Sequence, residues 1–289
     1  MIKNPDDAAD NRRCVGIALT EMKPSSSQLC LDTKWSSRKA LAGDASTRSY
    51  FRLWDQSGQT AILAEYPPEI RGQMLRDLEV LGWMSGLGVR VAELFDHDLD
   101  RGLVLLEDFG PDDGENALRT AVAADTTRLL DQALEPLVIL AGQQPDDLPP
   151  WNPPLDASRL RWELTGFELW YARYHRGGSP SSGLGRWLDA LAEEIAEHPR
   201  RICHRDYHLN NLFFLADGGV GVIDVQDVLV GPDTYDAVSL LSERETPTTL
   251  STEQMTGWQR EWARRTGALS GWEERWRRVR LQRALKVLG

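Results

Sequence analysis

Residues 203 to 213 read CHRDYHLNNLF, and thirteen positions after Asn211 the stretch GVIDVQD supplies a further acid, Asp224. Between these two residues the chain reads as a hairpin: Leu212 to Leu215 as a strand, Ala216-Asp217-Gly218-Gly219 as a turn, and Val220 to Ile223 as the returning strand. A hairpin of that length brings Asp224 back beside Asn211. An amide oxygen and a carboxylate oxygen then meet at one hairpin end, a donor pair suited to a magnesium ion that keeps several waters and also binds phosphate. Asp206 lies five residues before Asn211 on the preceding loop, where its carboxylate can accept the proton of an attacking hydroxyl without being a ligand. The order His-x-Asp-x-x-x-x-Asn followed by Asp is that of phosphoryl transfer, in which positioning and electrostatics supply most of the catalysis.

Other elements must hold this loop. Arg48 to Trp54 alternates with aromatics, is broken by DQSGQ, and returns as the short apolar strand Thr60 to Glu65. Residues 69 to 86 place Met74, Leu78, Leu81 and Met84 at helical spacing, ending near Gly86-Leu87-Gly88. The stretch VRVAELFDHDLDRGLVLLEDFG adds two more strands around an Asp-rich turn. Strand, strand, helix, strand, strand makes a small α+β lobe that ends near Glu107. The remainder reads as helices over 114–142, 156–175, 183–198 and 252–286, with one β interruption at 200–224 that contains the quoted loop. Residues 1–38 are expected to form a helix or two around a loose KPSSSQ connection. The fold expected is α+β and bilobal, with an N-lobe at 1–107 and a mainly helical C-lobe at 108–289.

The LEDFG stretch at 106–110 looks like a metal-binding triplet, but it precedes the catalytic loop by about a hundred residues. Its place after the second strand pair suits a hinge instead, where backbone groups of Leu106, Glu107 and Asp108 can meet an adenine.

Composition narrows the function classes. The 289 residues carry a formal net charge of −11, which disfavours a nucleic-acid partner, and no run of eighteen apolar residues marks a membrane span. The N-terminus MIKNPDDAADNRR carries acids where a signal peptide has a basic and then an apolar segment, so a cytoplasmic location is expected. Cys14, Cys30 and Cys203 are too few and too irregular for a disulfide framework or a zinc site. Lysine is absent between Lys39 and Lys286. Any fixed positive charge needed between those positions therefore comes from arginine, a metal ion or backbone N–H groups.

Taken together, GDASTRSYFRL at 43–53, ILAEYPPE at 62–69, DLDRGLVLLEDFG at 98–110, WELTGFELWY at 162–171, HRDYHLNNL at 204–212, VIDVQDVLVGPDTYDAVSLL at 222–241 and QRALKVLG at 282–289 resemble the aminoglycoside phosphotransferase and choline kinase-like superfamily, whose members share the protein-kinase fold. Within it the likeness is nearest to the bacterial anomeric kinases of N-acetylmuramate and N-acetylglucosamine that serve cell-wall recycling. The resemblance implies transfer of the γ-phosphate of ATP, with Mg2+, to the anomeric hydroxyl of a small amino sugar. It implies Asp206 as the base, Asn211 and Asp224 as metal ligands, and the loop Asp44-Ala45-Ser46 as a cover for the phosphates. An aminoglycoside or choline-like acceptor, and a catalytically silent nucleotide-binding chain, stand as alternatives.

The sequence also departs from the resemblance. A protein kinase places a lysine on the strand at 60–65 to hold the α- and β-phosphates, and this chain has none there. Arg48 and Arg52 share a face of the preceding strand, and one of them is expected to supply the charge. Val225 stands where the close relatives usually carry Phe, and the relatives continue with further helix beyond Gly289, so the C-lobe is expected to be C-terminally incomplete. Sugar contacts are expected from Glu163 and Trp170, while Phe167 and Tyr171 fall on the helical stripe of the core. Gln226 and Asp227 are placed to orient the site or the sugar. His204 is read as a structural hydrogen-bonding residue, Arg205 as the partner of a carboxylate, and Asp236 as the residue that pins the loop to a helix.

Overall fold

Strand alternation and short polar turns build one sheet at the N-terminal end. The computed structural model describes residues 34–41, 47–175, 177–178, 181–242 and 246–289. Trp35–Ala40 (β1), Ser49–Asp55 (β2), Thr60–Glu65 (β3), Leu94–Asp98 (β4) and Leu103–Glu107 (β5) form an antiparallel sheet in the order β1-β2-β3-β5-β4. The β2–β3 turn closes because Asp55 Oδ1 accepts the N–H groups of Ser57 at 2.8 Å and Gln59 at 2.9 Å, while Gly58 takes a φ of +85°. One sheet face buries Leu53, Ala61, Leu63 and Leu105; the other buries Ala64, Tyr66 and Val104 against Met74 and Leu78. Those last two belong to the helix Met74–Gly86 (α1), which a 3-10 turn at Pro68–Gln73 precedes.

The second half packs Gly114–Thr120 (α2), Ala123–Ala141 (α3), Ala157–Glu163 (α4), a π-helical stretch Phe167–His175, Ser182–Ala196 (α5), Tyr235–Ser242 (α6), Thr246–Thr249 (α7), Thr252–Thr266 (α8) and Trp272–Leu288 (α9). Two small antiparallel pairs sit among them: Arg200–Cys203 (β6) with Leu229–Pro232 (β9), and Leu212–Phe214 (β7) with Val220–Val222 (β8). Leu134, Leu160, Leu164, Leu188, Tyr207, Leu212, Tyr235 and Val279 lie at the centre of the core. Trp262, Trp272 and Trp276 meet edge to face with centroids 5.4–6.2 Å apart, which ties α8 to α9. Among the described residues no helix is long and apolar enough to cross a membrane.

The lobes share α1. Its first turns pack under the sheet, while Val80 and Met84 join the core of the helical half together with Val89 and Val91. The chain then touches the catalytic hairpin directly, because the Val222 N–H donates to the Arg90 carbonyl at 2.7 Å and Val91 bridges Val222.

The structure corrects several expectations. Residues 35–40 form an edge strand rather than helix; the rest of the expected N-terminal helix, up to residue 33, lies outside the described residues. Arg38 and Lys39 on this edge are the charges that keep an exposed strand from pairing with another chain. The helix expected over 114–142 breaks where Ala121 and Val122 turn extended. The one expected over 252–286 breaks at Gly267 and Gly271, both left-handed. The β interruption extends past 224 to Pro232, and α6 follows it, because Leu229–Pro232 finds its partner strand some thirty residues upstream in β6.

Met84 is fully buried in the helical half although its helix belongs to the sheet lobe. Met84→Ala is expected to cost about 2–5 kcal/mol. In a thermal melt it should lower the midpoint of a single transition; a split into two transitions would show lobes that unfold separately.

Candidate active site

The loop that carries Asp206 hangs from β6 and is gripped at its backbone. Asp236, in the first turn of α6, is buried and accepts the N–H of His204 at 2.6 Å and of Arg205 at 2.9 Å. Burial pushes the Asp236 carboxyl up, and the His204 ring and the two N–H groups only partly offset this. The His204 ring is buried edge-on to Tyr207, and its Nε2 meets the Ile223 carbonyl at 2.9 Å, which requires the tautomer with a proton on Nε2. His204 therefore joins the loop to the returning strand. Arg205 holds a φ of +79°, a region that costs a non-glycine residue about 1–3 kcal/mol, so the grip on both sides of the peptide has strain to hold. Asp206 follows immediately.

The expected hairpin forms. The Ile223 N–H donates to the Asn211 carbonyl at 3.0 Å, which sets Asp224 beside Asn211. The Asn211 Nδ2 donates to the Asp206 carbonyl at 2.8 Å, so the amide's oxygen is the end that remains to accept or ligate. Asp224 takes a left-handed φ of +64°, and its Oδ1 receives a hydrogen bond from Gln226 and lies 3.7 Å from Arg48. Among the described residues no three His, Cys, Asp or Glu side chains are arranged to hold a metal. Two hard oxygens, one amide and one carboxylate, fit an ion that takes its other ligands from water and phosphate, as magnesium does.

The two candidate arginines separate. Arg52 donates to both Asp108 oxygens, at 2.6 and 2.9 Å, and to the Gly110 carbonyl at 2.7 Å, so it clamps β2 to the hinge. Arg48 turns the other way, toward Asp224, and is steadied by Asp77 at 3.2 Å. Tyr66 donates to the same Asp77 oxygen at 3.0 Å. Burial pulls the Arg48 guanidinium down, but Tyr50, Tyr66 and Asp77 more than compensate, and it is held above the ordinary range. Asp77 escaped the sequence reading although a signal was present: it falls three residues after Met74 and beside Leu78, a carboxylate on a buried helical stripe.

At the hinge, Glu107 pairs with Arg90 and its N–H donates to the Glu93 carbonyl at 2.9 Å. Leu106 packs against the sheet core, and Phe109 lies on the catalytic hairpin, its ring 5.7 Å from that of Phe213. A Cβ at Gly221 would stand 2.6 Å from the Phe109 ring, so the hairpin strand needs glycine there. Asp44, Ala45 and Ser46 lie outside the described residues.

Of the expected sugar contacts, Trp170 is 57% exposed on the π-helical stretch and stacks on Tyr174 at 5.1 Å. Phe167 packs on the core, as its stripe position implied. Glu163 is not on the surface: its side chain is 2% exposed, and it receives Lys286 at 3.1 Å, Gln282 at 2.9 Å and Tyr235 at 3.2 Å. Gln226 and Asp227 occupy the 3-10 turn after Asp224, which Asn152 fixes by donating to the Gln226 and Val228 carbonyls, each at 2.9 Å. Arg205 reaches Asp227 at 3.4 Å and Glu163 at 3.5 Å.

A model of the phosphotransferase enzyme family matches residues 37–278. The chain belongs to this family. Among its curated relatives, the N-acetylmuramate/N-acetylglucosamine kinase of Pseudomonas aeruginosa is 34% identical over 206 residues, covering 70% of this chain and 58% of that one. The kinase of the same name from Neisseria meningitidis is 28% identical over 215 residues, covering 70% and 60%. The matches thus span about 58–60% of the curated relatives' length. Among solved structures, an aminoglycoside phosphotransferase of Streptomyces rimosus in complex with ADP and streptomycin superposes with a TM-score of 0.62 at 16% identity, covering 89% of this chain and 95% of that one. At that identity the likeness establishes the fold alone, a sheet lobe joined to a helical lobe.

Burial alone would raise the Glu163 carboxyl, but Lys286, Gln282 and Arg205 together bring it below the ordinary glutamate range. A lowered carboxyl stabilises the fold above the unfolded value of about 4.3, and that contribution is lost as pH falls through the folded value. Between about pH 5 and pH 3 the melting temperature of the wild type should therefore fall more steeply than that of Glu163→Gln. Parallel curves would show that folding leaves the Glu163 carboxyl unshifted.

Proposed function

We propose that this phosphotransferase moves the γ-phosphate of ATP to the anomeric hydroxyl of an N-acetylated amino sugar, N-acetylmuramate or N-acetylglucosamine, within the recycling of cell-wall sugars. The observation that carries the reaction is the convergence of Asp206, Asn211 and Asp224 at one end of the hairpin, held by the Ile223 N–H to Asn211 carbonyl bond of 3.0 Å. The acceptor is supported by the curated relatives of that name, the nearer of those two being 34% identical.

In this reading Asp206 accepts the proton of the sugar hydroxyl as its oxygen bonds to the γ-phosphorus, and the bond to the β,γ-bridging oxygen breaks to release ADP. Asn211 and Asp224 would hold magnesium, which when bound neutralises charge on the phosphates. Arg48 supplies the fixed charge that lysine provides in protein kinases, with Asp77 and Tyr66 limiting its swing. The backbone of Leu106 to Asp108 receives the adenine, and Asp44-Ala45-Ser46 covers the phosphates. Trp170, Gln226 and Asp227 are assigned to the acceptor side, where an aromatic face suits sugar C–H groups.

ADP release from Mg-ATP with N-acetylmuramate, N-acetylglucosamine, kanamycin and choline offered in parallel tests the acceptor. Turnover is expected with an amino sugar, and Asp206→Asn should slow it by roughly 10²–10⁴-fold. A response to kanamycin or choline alone would overturn the acceptor, and an unimpaired Asp206→Asn would overturn the base.

Nucleotide binding isolates Arg48. Arg48→Ala should weaken ADP and ATP by ~10- to 100-fold, the worth of one charge-assisted contact, and leave adenosine unaffected. Equal losses for all three in calorimetry would mean that Arg48 shapes the lobe rather than holds phosphate.

A further inference from the structure

The ion pairs around Glu163 form a chain that runs from the last helix to the turn behind Asp224. Lys286 lies 3.1 Å from Glu163, Glu163 3.5 Å from Arg205, and Arg205 3.4 Å from Asp227. The carboxylate at its centre has little room for a substrate. A carboxylate offers about four lone-pair sites, and Glu163 already meets Lys286, Gln282, Tyr235 and Arg205. A sugar hydroxyl would have to displace one of them.

Arg205 is the residue this arrangement restrains. Its N–H donates to Asp236, its carbonyl accepts from Arg283 at 3.3 Å, and its two terminal nitrogens reach Glu163 and Asp227. It also holds the left-handed φ of +79° immediately before Asp206. Because the backbone angles of Arg205 direct the next residue, whatever holds Arg205 aims the Asp206 carboxylate. Three of the restraining groups, Gln282, Arg283 and Lys286, come from α9, the last of the described helices.

We propose that Glu163 and Arg205 are positioning residues for Asp206, and that α9, through Lys286 and Gln282, is the element that sets them. Glu163 then acts through Arg205 and does not touch the acceptor. The inference rests on the assignment of Asp206 as the base. The same contacts make a prediction about the loop itself that needs no acceptor.

Two readouts keep these apart. Hydrogen–deuterium exchange of the peptide spanning His204 to Asn211, measured on the ligand-free protein, should be faster in Glu163→Gln and Lys286→Met than in the wild type, and close to wild type in Lys286→Arg. The Lys286 side chain is 29% exposed, so its replacement is compatible with folding, which a melt of each variant checks. In turnover, Glu163→Gln and Lys286→Met should each lower kcat on the order of 10- to 100-fold with the KM for ATP within about twofold, as expected of a misaimed base. The double variant should be no slower than the worse single one. Loop exchange that stays at the wild-type rate while the melting temperature falls would reduce the chain to a core ion pair and overturn the proposal. A raised KM for the sugar with kcat unchanged would also overturn it and return Glu163 to the acceptor site. If no amino sugar turns over, the acceptor assignment fails by itself; loop exchange and the slow hydrolysis of ATP by water, measured in the same variants, still decide the role of Glu163.

Discussion

A single buried carboxylate, Asp236, holds two consecutive backbone N–H groups of the catalytic loop, and the site is built outward from that grip. A carboxylate is a suitable clamp because it accepts only, offers two oxygens, and gains strength from the low dielectric around it. The desolvation that pushes its pKa up is the cost of placing it there. With His204 and Arg205 held, the chain can enter the left-handed turn at Arg205 and present Asp206, and the His204 ring can reach the Ile223 carbonyl. Asp206, the proposed base, and the hairpin that carries Asn211 and Asp224 are thus referenced to one fixed point at the start of α6.

Charge placement elsewhere follows from the scarcity of lysine. An arginine fork can bridge two carboxylates at once, which a point-charge ammonium does poorly. Arg48 does so between Asp77 and Asp224, Arg205 between Glu163 and Asp227, and Arg52 clamps Asp108 with two parallel bonds. The first connects the sheet lobe to Asp224, the second connects the surroundings of α9 to the loop that carries Asp206, and the third ties β2 to the segment after β5. Lys286 is the exception, a cation that Glu163 needs at only one oxygen.

Much of the site was legible in the sequence because its parts are local. Asn211 and Asp224 are joined by one short hairpin, so counting residues and recognising a turn sufficed to bring them together. The strands Ser49–Asp55, Thr60–Glu65, Leu94–Asp98 and Leu103–Glu107 were readable from alternation and turn residues for the same reason. Less visible were elements whose character depends on a distant partner. Trp35–Ala40 is mostly polar and exposed at every residue after Trp35, and only its pairing with Ser49–Asp55 makes it a strand. Leu229–Pro232 is a strand because β6 lies beside it.

Sequence alone therefore determined which groups are available for chemistry: the carboxylates of Asp206 and Asp224, the amide of Asn211 and a two-lobed frame to hold them, all encoded by residue type and near spacing. Tertiary structure decided which side chains serve it. Arg48 and Arg52 read as sharing a strand face and were equivalent on paper, yet Arg48 sits just before the strand and faces Asp224 while Arg52 lies within it and meets Asp108, because Asp77 on α1 and the hinge loop draw them to opposite ends. Glu163 read as a sugar contact and lies as a buried hub, because the partners that hold it, the Lys286 cation and the Gln282 amide, are about 120 residues away and meet it only after α9 has packed. Local pattern carries what neighbours in the chain impose on one another; the pairing of buried charges is settled by packing, since a buried carboxylate persists only where the fold delivers a cation or hydrogen-bond donors to it.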